Sequence, residues 1–130
     1  MNYTTQEIKV RYCETDQMGI VHHSNYLKFF ECARIEWLEK LNIPYQDIEK
    51  NKVILPVVNC ELKFLKPLVF GDTFKVKVHC TKKPTSSIEF SYEIFNNSAE
   101  KTTEGKTLLA FLNSDTMKPI RCPEKISSLF

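Results

Sequence analysis

The chain reads as an α+β domain made of one antiparallel sheet and one long amphipathic helix. Three observations predict this. An apolar and aromatic stripe at three- and four-residue spacing covers residues 25–41, which is the helical period. Four runs alternate apolar and polar residues with a period of two over all or part of their length, as half-buried strands do, and a fifth ends in an apolar stretch. Short polar turns separate the last four of these runs, which argues for an antiparallel meander rather than for crossover connections.

The first run covers residues 6–12, with Ile8, Val10 and Tyr12 on one face and Glu7, Lys9 and Arg11 on the other. Residues 14–23 form a loop whose only glycine is Gly19, and Ser24 or Asn25 suits the helix N-cap. The helix follows. Tyr26, Phe30, Ala33, Trp37 and Leu41 make its apolar stripe, widened by Leu27, Phe29 and Leu38, while Lys28, Glu31, Glu36, Glu39 and Lys40 make its polar side. It spans about 25 Å, and so wide a stripe predicts a helix wrapped by other structure. Asn42 and Pro44 stop it, and residues 45–50 form one short helical piece.

Residues 53–65 are the next strand, apolar first and then alternating Cys60, Leu62 and Phe64 against Glu61 and Lys63. Gly71 and Asp72 mark a turn before the strand of Phe74, Val76, Val78 and Cys80. Residues 83–86 turn into the strand of Ile88, Phe90, Tyr92 and Ile94, and residues 96–98 turn into a last strand over residues 103–113. The apolar run at residues 108–112 predicts burial on both sides, and residues 123–130 hold a short helix. No repeat, low-complexity stretch or linker divides residues 1–130, which read as one domain.

Bulk properties narrow the function classes. A chain of 130 residues is long enough to bury a core without staples. The net charge of +2, with lysines interspersed among glutamates, gives no nucleic-acid footprint. The five cysteines are far apart, odd in number and without a C-x-x-C pair, so reduced thiols and a cytoplasmic location are expected, with no metal site. No signal peptide is visible, and no apolar run approaches the roughly 18 residues of a membrane span.

Residues 11–26 carry the chemistry. They place Asp16 in a glycine-containing loop that leads straight into the long helix. A helix start presents unpaired N–H groups and the positive end of the macrodipole. A carboxylate beside it supplies a base or nucleophile together with donors for a developing oxyanion. The string Asp16, Gly19, Asn25, Tyr26 resembles the active-site segment of the 4-hydroxybenzoyl-CoA thioesterase family of hotdog-fold enzymes. The resemblance covers element order along nearly the whole chain, and motif detail over residues 11–36.

That resemblance implies a hotdog fold, with an antiparallel five-stranded sheet wrapped around the long central helix. It implies hydrolysis of an acyl-CoA, with Asp16 as nucleophile or as general base and backbone N–H groups at His22, His23 and Ser24 polarising the carbonyl, His23 being the closest match. Gly19, Ile20, Val21, His22, Ser24 and Asn25 then contact the substrate. The Val21-His22-His23 pattern is most similar to the Tol–Pal-associated short-chain acyl-CoA thioesterases, which gives His23 a catalytic role and departs from that branch at His22, where an aromatic residue is usual. Tyr12 matches a tyrosine near the catalytic aspartate in the same branch. Coenzyme A enters only as part of the substrate; Lys82 and Lys83 are placed to meet its phosphates, with Lys63 and Lys66 as further basic positions. Glu31 is a minor helix-carboxylate candidate, and Cys13 reads as a small structural residue.

Two other classes share such a pocket. A hotdog dehydratase or hydratase pairs a histidine with an acid on or near the helix, whereas Asp16 precedes it. A non-catalytic acyl-thioester binding module would lack the acid altogether. The resemblance finally implies a homodimer, or a tetramer built from dimers, with Asp16 of one chain facing the helix start near His23 of its partner.

Overall fold

The computed structural model describes residues 1–130. In chain order it contains β1 (Asn2–Thr4), β2 (Ile8–Lys9), a 3-10 turn (Tyr12–Glu14), α1 (Asn25–Lys40) and α2 (Tyr45–Lys50). There follow β3 (Val53–Ile54), β4 (Val57–Phe64), β5 (Thr73–His79), β6 (Ser87–Asn96), β7 (Lys101–Ala110), β8 (Leu112–Asn113) and α3 (Glu124–Ser127). The main sheet has the order β1-β5-β6-β7-β4 with β2 also paired to β5, and every pairing is antiparallel. β3 and β8 form a separate two-stranded ribbon. The α+β class is as expected, and the antiparallel meander holds for β5-β6-β7, whereas β4 pairs with β7 at the far edge instead of lying beside β5.

Three strand expectations need correction. The run over residues 6–12 is not one strand. The ladder is made by β1 and β2, and Thr5 turns inward between them, its N–H on the Val76 carbonyl at 2.9 Å and its hydroxyl accepting the Val76 N–H at 3.1 Å. Pairing ends at Val10 because the next N–H, that of Arg11, goes to the Glu14 carboxylate at 2.8 Å, and the local turn replaces the ladder. The run over residues 53–65 is cut at Pro56, which lacks an N–H and constrains Leu55, so β3 leaves the sheet and β4 begins afresh. The run over residues 108–112 is buried on one side only: Leu109 and Phe111 are inside, while Leu108, Ala110 and Leu112 are half-buried.

The 16 residues of α1 lie across the sheet, and its aromatic residues find partners strand by strand. Tyr26 meets Phe64 of β4 edge-on at 5.2 Å, Phe29 meets Phe74 of β5 at 4.8 Å, and Phe30 stacks on Tyr92 of β6 at 4.2 Å. Trp37 meets Phe90 of β6 at 6.1 Å and Phe130 at 5.3 Å. Gly105 of β7 leaves room for the Phe30 ring, since a Cβ built there would overlap it. The helix stops where Asn42 adopts a φ of +62° and the Ile43 N–H returns to the Leu38 carbonyl at 3.0 Å. β4 is different from its neighbours. It is an edge strand with Val57, Val58 and Phe64 exposed, and Leu65 just beyond it is exposed as well.

Candidate active site

The loop before α1 is a tight hairpin. The Asp16 N–H donates to the Ile20 carbonyl at 2.8 Å, and the Gly19 N–H returns to the Asp16 carbonyl at 2.9 Å. Gly19 sits at a φ of +80°, a left-handed conformation that glycine adopts without steric cost. The Met18 N–H holds Asp16 Oδ1 at 2.8 Å, an Asx-turn, while Oδ2 has no partner in the chain. The side chain is thus oriented through one oxygen and free at the other.

Glu14 fastens this loop to the helix. It is buried, its carboxylate accepts the Arg11 N–H, and its carbonyl accepts both the His22 N–H and Asn25 Nδ2, each at 2.8 Å. Asn25 is buried with its amide on Glu14, so it positions the helix start rather than presenting itself to a substrate. Neither Ser24 nor Asn25 caps the helix. Ser24 stands at the cap position with helical angles and no capping bond, its hydroxyl on His22 Nδ1 at 2.8 Å instead.

The backbone donors at this junction can be accounted for one by one. The Val21 N–H goes to the Leu68 carbonyl at 2.8 Å and the His22 N–H to Glu14. The Ser24 N–H goes to His22 Nδ1 at 3.2 Å, the Asn25 N–H to the His22 carbonyl at 3.0 Å, and the Tyr26 N–H to the His23 carbonyl at 3.4 Å. Of the N–H groups from Val21 to Tyr26, that of His23 alone has no acceptor within the chain. It is the free donor at the helix start, and His22 is the residue that occupies its neighbour.

Asp16 and His23 line the same open cleft, of about 360 Å³, with Met18, Ile20, Val21, Tyr26, Phe64, Leu65, Lys66 and Pro67. Within one chain the carboxylate and the helix start thus line one cleft. The isolated bridge between Ile20 and Val69 draws the segment after β4 against the loop. That long-range contact explains why Phe64, Leu65 and Pro67 were not recognisable as cleft residues in sequence.

Other expected site residues lie elsewhere. Tyr12 is 75% exposed in the 3-10 turn, edge-on to Phe70 at 5.5 Å, and does not line the cleft. His22 packs its ring 4.1 Å from that of His23 and is tied to Ser24. Lys82 and Lys83 follow the far end of β5, whose near end adjoins the Gly71–Asp72 turn that pairs with Val10; the strand between them spans roughly 20 Å. The lysine that does line the cleft is Lys66, ion-paired with Glu100 on the surface. Cys13 is exposed, and all five cysteines are free. No group of three or more His, Cys, Asp or Glu side chains converges as a metal-binding cluster, and no helix is long and apolar enough to cross a membrane.

Comparison with known proteins agrees with this fold. The profile of the thioesterase-like superfamily matches residues 10–130. The putative acyl-CoA thioesterase YneP of Bacillus subtilis is 35% identical over 121 residues, covering 93% of this chain and 88% of that protein. A 1,4-dihydroxy-2-naphthoyl-CoA hydrolase of Prochlorococcus marinus is 29% identical over 131 residues, covering 96% of this chain and 87% of the relative. The crystal structure of a DHNA-CoA thioesterase from Staphylococcus aureus superposes with a TM-score of 0.88 at 39% identity, covering 92% of this chain and 80% of that one. The chain belongs to the thioesterase-like superfamily, and with that membership and those relatives it is a thioester hydrolase.

Proposed function

We propose that this chain hydrolyses an acyl-CoA to the free carboxylic acid and coenzyme A, at the cleft between the Asp16 loop and the start of α1. The observation that carries the reading is the pairing of an oriented carboxylate with one free oxygen and a helix-start N–H with no acceptor, in one cleft. A thioester carbonyl seated with its oxygen toward the His23 N–H has its developing negative charge met by a fixed donor. As general base, Asp16 takes a proton from water as the water oxygen attacks the carbonyl carbon. As nucleophile, it attacks that carbon itself and water then opens the mixed anhydride. Either route expels the thiol of coenzyme A, and both need the free Asp16 oxygen.

The finer reading follows from the same residues. Val21 and His23 favour the Tol–Pal-associated short-chain branch of the hotdog thioesterases, with His22 as a departure that reshapes the acyl side of the cleft. The DHNA-CoA thioesterase among the relatives supports an aromatic acyl group as the second reading. Lys66 replaces Lys82 and Lys83 as the lysine nearest the reacting end, and the more distant CoA phosphates remain for other basic residues. Coenzyme A is substrate, and the chemistry calls for no metal and no resident cofactor. Residues 1–130 act as one hotdog unit in the cytoplasm.

Assembly as a homodimer, or a tetramer of dimers, is supported by the exposed apolar edge at Val57, Val58, Phe64 and Leu65. An open edge of this kind is one that natural proteins pair, cover or charge. Phe64 and Leu65 also line the cleft with Asp16 and His23, so a partner docked on β4 would wall the site, with Asp16 of one chain near the helix start of its partner. The test is a panel of short-chain, long-chain and aromatic acyl-CoA substrates, read by free-thiol release without added metal and again in a chelator. Thiol release on at least one class is expected. Substrate turnover by hydration or dehydration without thiol release would replace this reading with the dehydratase one, and loss of activity in the chelator would overturn the metal-free chemistry.

A further inference from the structure

Along α1 from the catalytic loop, a second cavity of about 280 Å³ opens between the helix, α2 and the sheet. It shares no residue with the Asp16 cleft. Its walls are mostly apolar, among them Leu38, Tyr45, Ile88, Phe90 and Leu109, and they hold one cation, Arg34, and one carboxylate, Glu31. Tyr26, which lines the catalytic cleft, and Arg34 are about 12 Å apart along the helix axis.

Arg34 is 8% exposed, and its charge is poorly met. Nη1 donates to the Tyr92 hydroxyl at 3.0 Å, and that hydroxyl is itself 2.6 Å from Thr107 Oγ1. The nearest carboxylate, Glu31 Oε2, is 3.9 Å from Nη2, beyond hydrogen-bond reach, on a side chain that is 69% exposed. Nε and Nη2 donate to nothing in the chain. No fully buried side-chain nitrogen or oxygen lacks a partner, so these two groups are not sealed in the core, and Arg34 lines the cavity. With one neutral hydrogen-bond acceptor and only the distant, exposed Glu31 carboxylate to offset it, the guanidinium keeps Nε and Nη2 free for a closer anion.

We propose that this cavity binds a compact apolar monocarboxylate, with its carboxylate on Arg34 and its hydrocarbon body among Leu38, Phe90 and Leu109. The planar guanidinium fork matches a carboxylate in two-point fashion. A phosphate or sulfate dianion would face a single cation, the Glu31 carboxylate and an apolar wall, a poorer match than a monoanion. The volume corresponds to about nine water volumes, which fits an acid of roughly nine or ten non-hydrogen atoms. Hydrolysis of an acyl thioester releases an acid of this class, so on the reading above the free acid occupies a second site; the binding itself stands apart from that reading.

The test is titration calorimetry of the full chain with benzoate and octanoate, beside benzyl alcohol and octan-1-ol as uncharged matches. The acids are expected to bind, and the alcohols at least about tenfold more weakly. Arg34→Met is expected to remove the preference for acids, and Ile35→Trp, at the half-buried rim of the cavity, to remove binding of both. Asp16→Asn is expected to leave the dissociation constant unchanged, which separates this site from the catalytic cleft whether or not the chain turns over acyl-CoA. If Arg34→Met does not fold, the acid–alcohol comparison and Ile35→Trp decide the matter. The proposal is overturned if the acids do not bind, if acids and alcohols bind equally, if Ile35→Trp binds as wild type does, or if Asp16→Asn abolishes binding. It is also overturned if the wild type binds neither probe while Arg34→Met sediments as a smaller species, which would assign Arg34 to a contact with a second copy.

Discussion

The start of α1 and its middle are built by opposite rules. In the middle, the aromatic and small-residue contacts are closed on themselves: Phe30 stacks on Tyr92, Gly105 is shaped to the ring, and Ala33 is fully buried. At the start, neighbouring polar groups are each paired, and two are left free, Asp16 Oδ2 and the His23 N–H. The difference teaches where function sits on this helix. The middle fixes the helix on the sheet, and the rigid hydrogen bonds around Glu14 hold the free pair in place. Substitutions at the start should therefore change rate with little change in stability, and substitutions in the middle should do the reverse.

The largest expected effect is that of Asp16→Asn. The amide keeps the Oδ1 acceptor for the Met18 N–H and loses the ability to act as base or nucleophile, so kcat should fall about 10²–10⁴-fold with an unchanged melting temperature. Steady-state thiol release beside a thermal melt checks both halves, and near-wild-type kcat would remove Asp16 from its role. The converse is Gly105→Ala, whose methyl meets the Phe30 ring and should cost about 1–3 kcal/mol in denaturant unfolding while the folded fraction keeps its kcat.

Asn25→Ala sharpens the comparison, because Asn25 belongs to the boundary. Losing the buried bond to the Glu14 carbonyl should cost about 1–3 kcal/mol and also lower kcat, since the loop and helix start lose their common anchor. Unfolding and turnover measured on one preparation would separate the two losses. Unchanged kcat would show that the Arg11 and His22 contacts to Glu14 suffice.

The smallest effect expected is on the outer face of the sheet, far from both regions. Lys101, hydrogen-bonded to Glu93 at 2.8 Å, and His79 at 3.0 Å hold the Glu93 carboxyl below the usual carboxylate range. A depressed folded-state pKa adds stability that is complete above the unfolded value and is lost as pH falls through the folded one. Wild type should therefore lose its margin over Glu93→Gln as pH drops below the ordinary carboxylate range, by no more than about 1 kcal/mol for so solvent-accessible a pair. Melts from neutral to acid pH check the sign, and a margin that grew with acid would contradict it.

Local pattern made most of the fold legible. The stripe on α1, the Asn42 and Pro44 stop and the alternation of β5 and β6 are short-range features, and each is where the periodicity puts it. Asp16 and His23 were legible because loop and helix start are adjacent in the chain. What escaped depends on contacts between distant residues. Tyr12 continues the strand alternation, yet the Glu14 carboxylate takes the Arg11 N–H and ends the strand before it. Lys66 reaches the cleft only through the pairing of Ile20 with Val69, whereas Lys82 and Lys83 look more basic as a pair and lie at the other end of β5. Arg34 falls in no sequence pattern singled out above, and its buried hydroxyl partner, Tyr92, lies 58 residues on.

The central claim is that the His23 backbone N–H receives the charge that develops on the thioester oxygen. His23→Pro deletes that N–H and His23→Ala keeps it, while both remove the imidazole, so comparing kcat of the two isolates the backbone donor. With matched melting temperatures, the account predicts that the proline variant is slower than the alanine variant by about 10²–10³-fold, the usual loss for one such donor. Equal kcat in two equally folded variants would contradict it.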